Sequence, residues 1–352
     1  MCKVTIAIPV YNVEEYIEKS LLSALDQTFD DIEFLIVDDK GNDGSIDIVK
    51  RLQSTHPRGQ YIRIIDHLVN RGVGATRNTA IEKAKGDYLF FMDSDDTIEP
   101  DTISVLYNMM IEHNVNVVEG SYQICSIEDY VFEKHIMPQR KTLGDFAICR
   151  WMKDCRLYYD GYGWNKLFNL AFLRTNNIRC IDNHRHEDVY FSFQVVFYAK
   201  SIITVPNITY NYLMRPGSTV NHVADDSYYN QYLEIFNART SLMRRVNVGM
   251  APNTIYNYYL QHFFEWWLRF ILTGHFSKQK KQFFYKVIQE IFTLDFTSKN
   301  LIGFRYKVMY NLMKCRNYKY IKIYLVIDIY IAKIYNRINR HLNIFKLPYS
   351  HL

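Results

Sequence analysis

Three acids fall within four positions at Asp93, Asp95 and Asp96, directly after the apolar run Phe90–Met92. Like charges this close raise one another's pKa and are costly unless a cation shares them. Hard cations such as Mg²⁺ and Mn²⁺ take carboxylate oxygens and leave positions open for phosphate oxygens. Carboxylates at i and i+2 on an extended turn point roughly the same way, so the cluster suits one metal–phosphate ligand. The plainer reading is a solvated turn in which Asp96 or Thr97 caps the next helix. An EF-hand is excluded, because positions 6 and 12 counted from Asp93 are Ile98 and Ser104, where that loop needs Gly and Glu.

A second acid pair stands at Glu187–Asp188, ahead of the apolar stripe Val189, Phe191, Phe193, Val195 and Val196. Acids at a helix start are favoured by the dipole, so a cap is one reading. The other is a carboxylate general base facing a ligand. His184 and His186 beside it form HxH without an evident third ligand, which argues against zinc. Residues 72–78, GVGATRN, give G-x-G-x-x-R, with Arg77 where a dinucleotide fingerprint has its third Gly. As a turn into a helix N-terminus carrying Arg77, the segment can still face phosphates.

These residues need a scaffold, and the chain up to residue 125 supplies alternating periods. Continuous β-branched or apolar runs at 4–10, 32–39, 61–67, 87–93 and 115–122 predict buried strands. Between them, 14–27, 45–53 (capped by Ser45), 74–86 (stopped by Gly86) and 101–113 predict helices. Strand–helix alternation implies an α/β fold with a mainly parallel sheet, whose ligands sit beyond the carboxyl ends of the strands. Strands end there in Tyr11 and Asn12, in Asp38 and Asp39, and in Asp93 to Asp96. Residues 125–225 read as irregular, and 226–352 as mostly helical, basic and aromatic, so the expected domains are 1–225 and 226–352.

The net charge of +5 hides an asymmetry: −7 over residues 1–100 and +9 over residues 301–352. A uniformly basic nucleic-acid binder would look different. The six cysteines show no CxxC pair, which argues against a zinc ribbon or disulfide scaffold and fits a reducing compartment. With no signal-like start and no run of 18 apolar residues, a cytoplasmic location is expected.

The order IPVYN, VDD, NxGxGAxRNxA, DSDD and then an ED pair resembles the family 2 inverting glycosyltransferases of the GT-A fold over roughly residues 3–215. The resemblance implies transfer from a nucleotide-diphospho-sugar, a UDP-sugar foremost, to a hydroxyl of a glycan or lipid-linked acceptor in polysaccharide synthesis. It implies that Pro9, Val10, Tyr11 and Glu14 line base and ribose. Asp39, with Asp38 beside it, would accept from the base; Gly72 and Arg77 would border the nucleotide; Asp93 would reach the ribose, with Ser94 between. Asp95 would bind the cation, Mn²⁺ or Mg²⁺, on the diphosphate, with Asp96 the rival ligand. Asp188 would be the base, supported by Glu187. Trp164, Lys166 and Arg215 would lie toward the acceptor and diphosphate. One departure is Lys40, where the family commonly has Gly.

The basic tail has three readings: a packed helical subdomain, attachment of residues 301–352 to an anionic membrane surface, or homo-oligomer formation through aromatic helices including Phe263, Phe264, Trp266 and Trp267. Other classes compatible with the sheet are a sugar-nucleotidyltransferase, which needs a phosphate loop after the first strand that IPVYNVEEY lacks, and a degenerate nucleotide-sugar-binding scaffold.

Overall fold

The computed structural model describes residues 2–155, 157, 159, 161–182, 187–215, 226–245, 252–260, 286–294, 297, 299, 301 and 304–314. The chain divides into two compact units, Met1–Ile235 and Phe236–Leu352. In the first, β1 (Val4–Val10), β2 (Ile32–Asp38), β3 (Ile62–Asp66) and β4 (Tyr88–Phe91) pair in parallel in the order β3-β2-β1-β4. Helices α1 (Ile17–Leu25), α2 (Ser45–Thr55) and α3 (Gly72–Lys83) are the crossovers. Val4, Ile6 and Ile8 of β1 are fully buried beside Phe34 and Ile36 of β2, which explains their uninterrupted apolar character.

Beyond β4 the sheet becomes mixed. β5 (Thr97–Ile98), α4 (Thr102–His113), β6 (Val117–Cys125), β7 (Val131–His135) and β8 (Arg140–Leu143) follow in the chain. They lead to α5 (Ala147–Cys155), β9 (Lys166–Asn169), α6 (Leu170–Thr175), α7 (Glu187–Tyr198) and β10 (Ser201–Leu213). The path continues β4-β9-β6-β10-β5, with β9 antiparallel to both neighbours and β10 parallel to β6. The sheet is therefore a curled α/β sheet of 10 strands, parallel through its first half.

Two local expectations are corrected. Ser45 does not cap α2 but is its first residue; its hydroxyl accepts from Val13 N at 2.9 Å and donates to Asp43 at 2.6 Å, tying α2 to the end of β1. Gly86 does not stop α3, which ends at Lys83 with Ala84 extended. Gly86 instead lets the strand start pass over β1, where a Cβ would lie 2.7 Å from Thr5 N.

Lys166, expected to reach a ligand, is 1% exposed. Its Nζ sits 3.0 Å from Glu119 Oε1, donates to Tyr162 O at 2.9 Å and lies 4.9–5.0 Å from the rings of Tyr162 and Tyr159. It is a core cation linking β9 to β6. Trp164 is also interior, stacked 3.9 Å from Tyr162 and 4.6 Å from Tyr210.

In the second unit Arg239 is buried and donates to the carbonyls of Tyr258 and Tyr259 at 2.9 and 3.0 Å. Among the described residues no helix is long and apolar enough to cross a membrane. The HxH histidines, the aromatic run at 263–267 and the tail beyond 314 lie outside the described residues.

Lys166→Ala leaves Glu119 buried without its cation and is expected to cost about 3–5 kcal/mol in denaturant unfolding, whereas the paired change Lys166→Met with Glu119→Leu recovers most of that loss.

Candidate active site

The carboxyl ends of β1, β2 and β4 and the start of α7 gather most of the residues singled out in the sequence. After β1 the chain turns at Asn12 with φ 51°, and Tyr11 is left 48% exposed beside half-buried Pro9. The Val10 side chain is buried in the core, so only its backbone faces the end of the sheet. Asn12 Oδ1 accepts from Asn42 N at 2.9 Å. Glu14 Oε2 accepts from Gly44 N at 2.9 Å, while Glu14 N donates to Asp43 at 2.9 Å. Glu14 thus clamps two loops together, and it starts no helix because α1 begins only at Ile17.

Lys40 has φ 60°, a left-handed conformation in which Gly carries no Cβ penalty. Its N–H donates to Asp38 Oδ1 at 3.0 Å, so the short polar side chain holds the turn. Asp39 is 2% exposed and ties β2 to the start of α3. One of its oxygens accepts from Arg71 N at 2.9 Å and pairs with His67 Nδ1 at 2.7 Å; the other accepts from Gly72 N at 2.7 Å. This carboxylate satisfies the free N–H groups of a helix start, where the dipole favours it. Three donors already surround Asp39, so its first role is to anchor the loop.

Glycine is required twice in G-x-G-x-x-R. Gly72 has φ 81°, and at Gly74 a Cβ would meet Ile181 O at 2.4 Å and Glu187 Cβ at 2.9 Å. The start of α7 therefore presses on α3 with no room for a side chain. Asn78 reinforces the contact: its side chain donates to Cys180 O at 3.0 Å and accepts from Cys180 N at 2.8 Å. Arg71 pairs with Asp182 at 2.6 Å.

Arg77 rises from this helix into the interior, 5% exposed. Nη1 donates to Glu187 Oε1 at 2.6 Å and Nη2 to Asp93 Oδ1 at 2.7 Å. The expectation that Arg77 faces phosphates is corrected, since both ends of its guanidinium are taken by carboxylates of the chain. Burial foremost, then Asp188, push the Glu187 carboxyl up to about 8 against the pull of Arg77. Burial also raises the Asp188 carboxyl, again against Arg77. Asp188 occupies the first turn of α7, half-buried beside Glu187.

The acids after β4 divide among three partners. Asp93 faces Arg77, and its N–H donates to Tyr210 Oη at 3.0 Å. Ser94 is buried between. Asp96 is 1% exposed and accepts from Tyr210 Oη at 2.8 Å and from Leu213 N at 2.7 Å. With both oxygens bonded inside the fold, Asp96 is an anchor to β10, and the expectation of a rival cation ligand is corrected. Burial, reinforced by Asp95 and Asp93, holds its carboxyl well above the usual range. Asp95 accepts from Arg215 Nε at 2.6 Å, and that guanidinium lies 4.9 Å from the Tyr16 ring. Burial and Asp93 raise the Asp95 carboxyl, opposed by Arg215. Asp95 opens onto a cleft of about 300 Å³ that Glu15, Tyr16 and Asn211 also border.

Among the described residues no three His, Cys, Asp or Glu side chains are placed to hold an ion by themselves. Asp95 is the partly exposed carboxylate of the turn, and Mg²⁺ or Mn²⁺, which keep positions for water and phosphate, would have to share it with or displace the Arg215 guanidinium. Tyr210, Tyr16 and His67 were not singled out from sequence, because each acts on partners 12 or more positions away and carries no local motif.

Residues 5–176 match the family model described as Glycosyl transferase family 2. The chain is similar to the glycosyltransferase GlyA of Streptococcus pneumoniae, 28% identical over 70% of this chain and 35% of that protein. It is 30% identical to a poly(ribitol-phosphate) beta-glucosyltransferase of Bacillus spizizenii over 67% of this chain and 36% of that one. The chain thus spans about a third of the length of these relatives. In fold it resembles S. aureus TarS 1-349, solved in complex with UDP-GlcNAc, with a TM-score of 0.75, 18% identity and coverage of 92% of this chain and 90% of that chain.

Tyr210→Phe removes the hydroxyl that joins Asp93 N to Asp96 and is expected to lower stability by about 1–3 kcal/mol in thermal or urea unfolding; no measurable loss would show that the bridge does not hold the acidic turn.

Proposed function

Residues 5–176 match the model of glycosyltransferase family 2, and on that premise we propose that the chain moves a sugar, with inversion, from a nucleotide-diphospho-sugar to an acceptor hydroxyl. The observation that carries this reading is the meeting of two distant acid groups. Arg77 binds Asp93 at the end of β4 and Glu187 at the start of α7, setting Asp188 beside the donor-side turn. A UDP-sugar is the donor class favoured, consistent with the UDP-GlcNAc complex of the TarS fold relative. The acceptor is a hydroxyl of a glycan or lipid-linked glycan, in keeping with the relative that glucosylates poly(ribitol-phosphate).

In this reading the nucleoside lies over the ends of β1 and β2, with Tyr11 at the base, Asp38 and Asp39 behind it and Asp93 near the ribose. Asp188 takes the proton of the acceptor hydroxyl as that oxygen attacks the anomeric carbon. The bond from carbon to the phosphate oxygen breaks, and its electron pair leaves with the nucleoside diphosphate. A divalent cation, Mn²⁺ or Mg²⁺, held by Asp95 would stabilise the charge that grows on the diphosphate. Arg215, paired with Asp95, would transfer its guanidinium to the same phosphates. Attachment of residues 301–352 to an anionic membrane remains part of the proposal on charge alone.

Asp188→Asn is expected to keep UDP affinity while lowering turnover by about 10²–10⁴-fold; retained turnover would move the base elsewhere. Asp95→Asn is expected to abolish the Mn²⁺-dependent part of UDP binding in calorimetry, and unchanged Mn²⁺-dependent affinity would remove the cation from Asp95.

The base must be ionised to act, so raised carboxyl pKa values in the Glu187–Asp188 pair shift the acid limb of kcat upward. Its midpoint is expected above the ordinary aspartate range, since burial raises the Asp188 carboxyl; the window of raised pKa in the pair extends to about 8 at Glu187. The folded state holds a proton there that the unfolded chain would release, so the same pair makes stability fall as pH rises through that window. A kcat limb near 4 would contradict this environment for the base.

A further inference from the structure

Arg77 is the one described cation placed between the two acid groups, and its surroundings assign it more than a structural pairing. Its side chain is 6% exposed, and it reaches Asp93 and Glu187 with separate nitrogens while Nε has no hydrogen-bond partner. Phe91 and Phe191 meet edge to face at 5.8 Å, and a Cβ added at Gly163 would lie 3.9 Å from each of these rings and 4.0 Å from Arg77 Nε. A guanidinium held this way has one orientation, because its fork is planar and rigid. α3 is in turn fixed at both sides: Gly72 N to Asp39 on the β2 loop, and Asn78 to Cys180 ahead of α7.

We infer that Arg77 is the positioning residue that sets the general base relative to the donor, an inference that rests on Asp188 being that base. Arg77 gives its guanidinium hydrogen bonds to Glu187 and Asp93. It fixes Glu187, the residue before Asp188, and so the rotation of the first turn of α7. Through Asp93 it ties that turn to the ribose-facing end of β4. Loss of the fork frees α7 to shift on the glycine contact at Gly74, and a displacement of about 1 Å between base and donor costs on the order of 10²-fold in rate. The groups facing the base pair are Arg77 from α3, Asp93 after β4 and Cys180 ahead of α7, with Asp182 near Cys180.

The test measures Arg77→Lys, Arg77→Met and the double variant Arg77→Met with Glu187→Met in the full chain. Readouts are UDP affinity by calorimetry, thermal stability, and kcat and KM for the UDP-sugar that the wild-type protein turns over in a panel. Arg77→Lys and Arg77→Met are expected to lose on the order of 10²-fold in kcat with KM and UDP affinity within about threefold. In the double variant the fully buried carboxylate is gone and only Asp93, whose side chain is 26% exposed, loses its cation, so the melting temperature recovers in part toward wild type while kcat stays low. A small cation, methylguanidinium, is expected to restore part of the kcat of Arg77→Met.

Arg77→Lys with near wild-type kcat would overturn the inference. So would kcat recovering together with stability in the double variant, which would leave Arg77 a purely structural charge. If the wild-type protein turns over no nucleotide sugar, or Asp188→Asn stays active, the functional reading fails instead, and the two failures are told apart.

Discussion

One buried guanidinium sets the terms for the rest of the site. Arg77 is paired at 2.6 and 2.7 Å to carboxylates that lie in different elements of the chain. Burying that charge is costly, and removing Arg77 would leave its carboxylate partners without their cation, a loss of about 3–5 kcal/mol. The fold must therefore bring Asp93 and Glu187 to the same point. Gly74 allows it by omitting a side chain where α7 begins, and Asn78 holds the preceding segment with two backbone hydrogen bonds. The consequence is a carboxylate pair at the end of the sheet, with its protons held above the ordinary range by burial.

The same economy of charge explains how three acids coexist after β4. Each is given a different partner: a buried arginine for Asp93, a tyrosine hydroxyl and a backbone N–H for Asp96, and an exposed-side arginine for Asp95. The first two partners are interior and fixed. Arg215 is not, since its side chain is 24% exposed, and its guanidinium is the one among the three that a ligand cation or phosphate can displace without opening the core. Position in the turn, rather than residue type, thus divides a run of like side chains into two held by interior partners and one, Asp95, that borders a cleft.

The parallel half of the sheet was legible in the sequence because both of its faces are covered. Continuous apolar runs at β1, β2 and β4 leave no other reading, and the acids fall at the carboxyl ends of β2 and β4. Boundaries were less legible: Glu14 and Glu15 continue the helical stripe of α1 but are held outside it by the clamp of Glu14 on Gly44 and Asp43. The antiparallel strands β7, β8 and β9 are short, and their pairing depends on partners far along the chain. Arg77 and Lys166 were visible as cations, but not that both are buried; burial is set by Glu187 and Glu119, which lie 110 and 47 positions away. Lys40 stood out as an unusual residue, and its φ of 60° gives the reason why Gly suits that place.

The central claim is single displacement by one carboxylate base held opposite the donor. It is tested most directly by proton NMR of the sugar released from a UDP-sugar into water, recorded before the product mutarotates. An axial α-linked donor should yield the β anomer first. Initial release of the α anomer would mean retention, and would contradict an Asp188 base acting in one step.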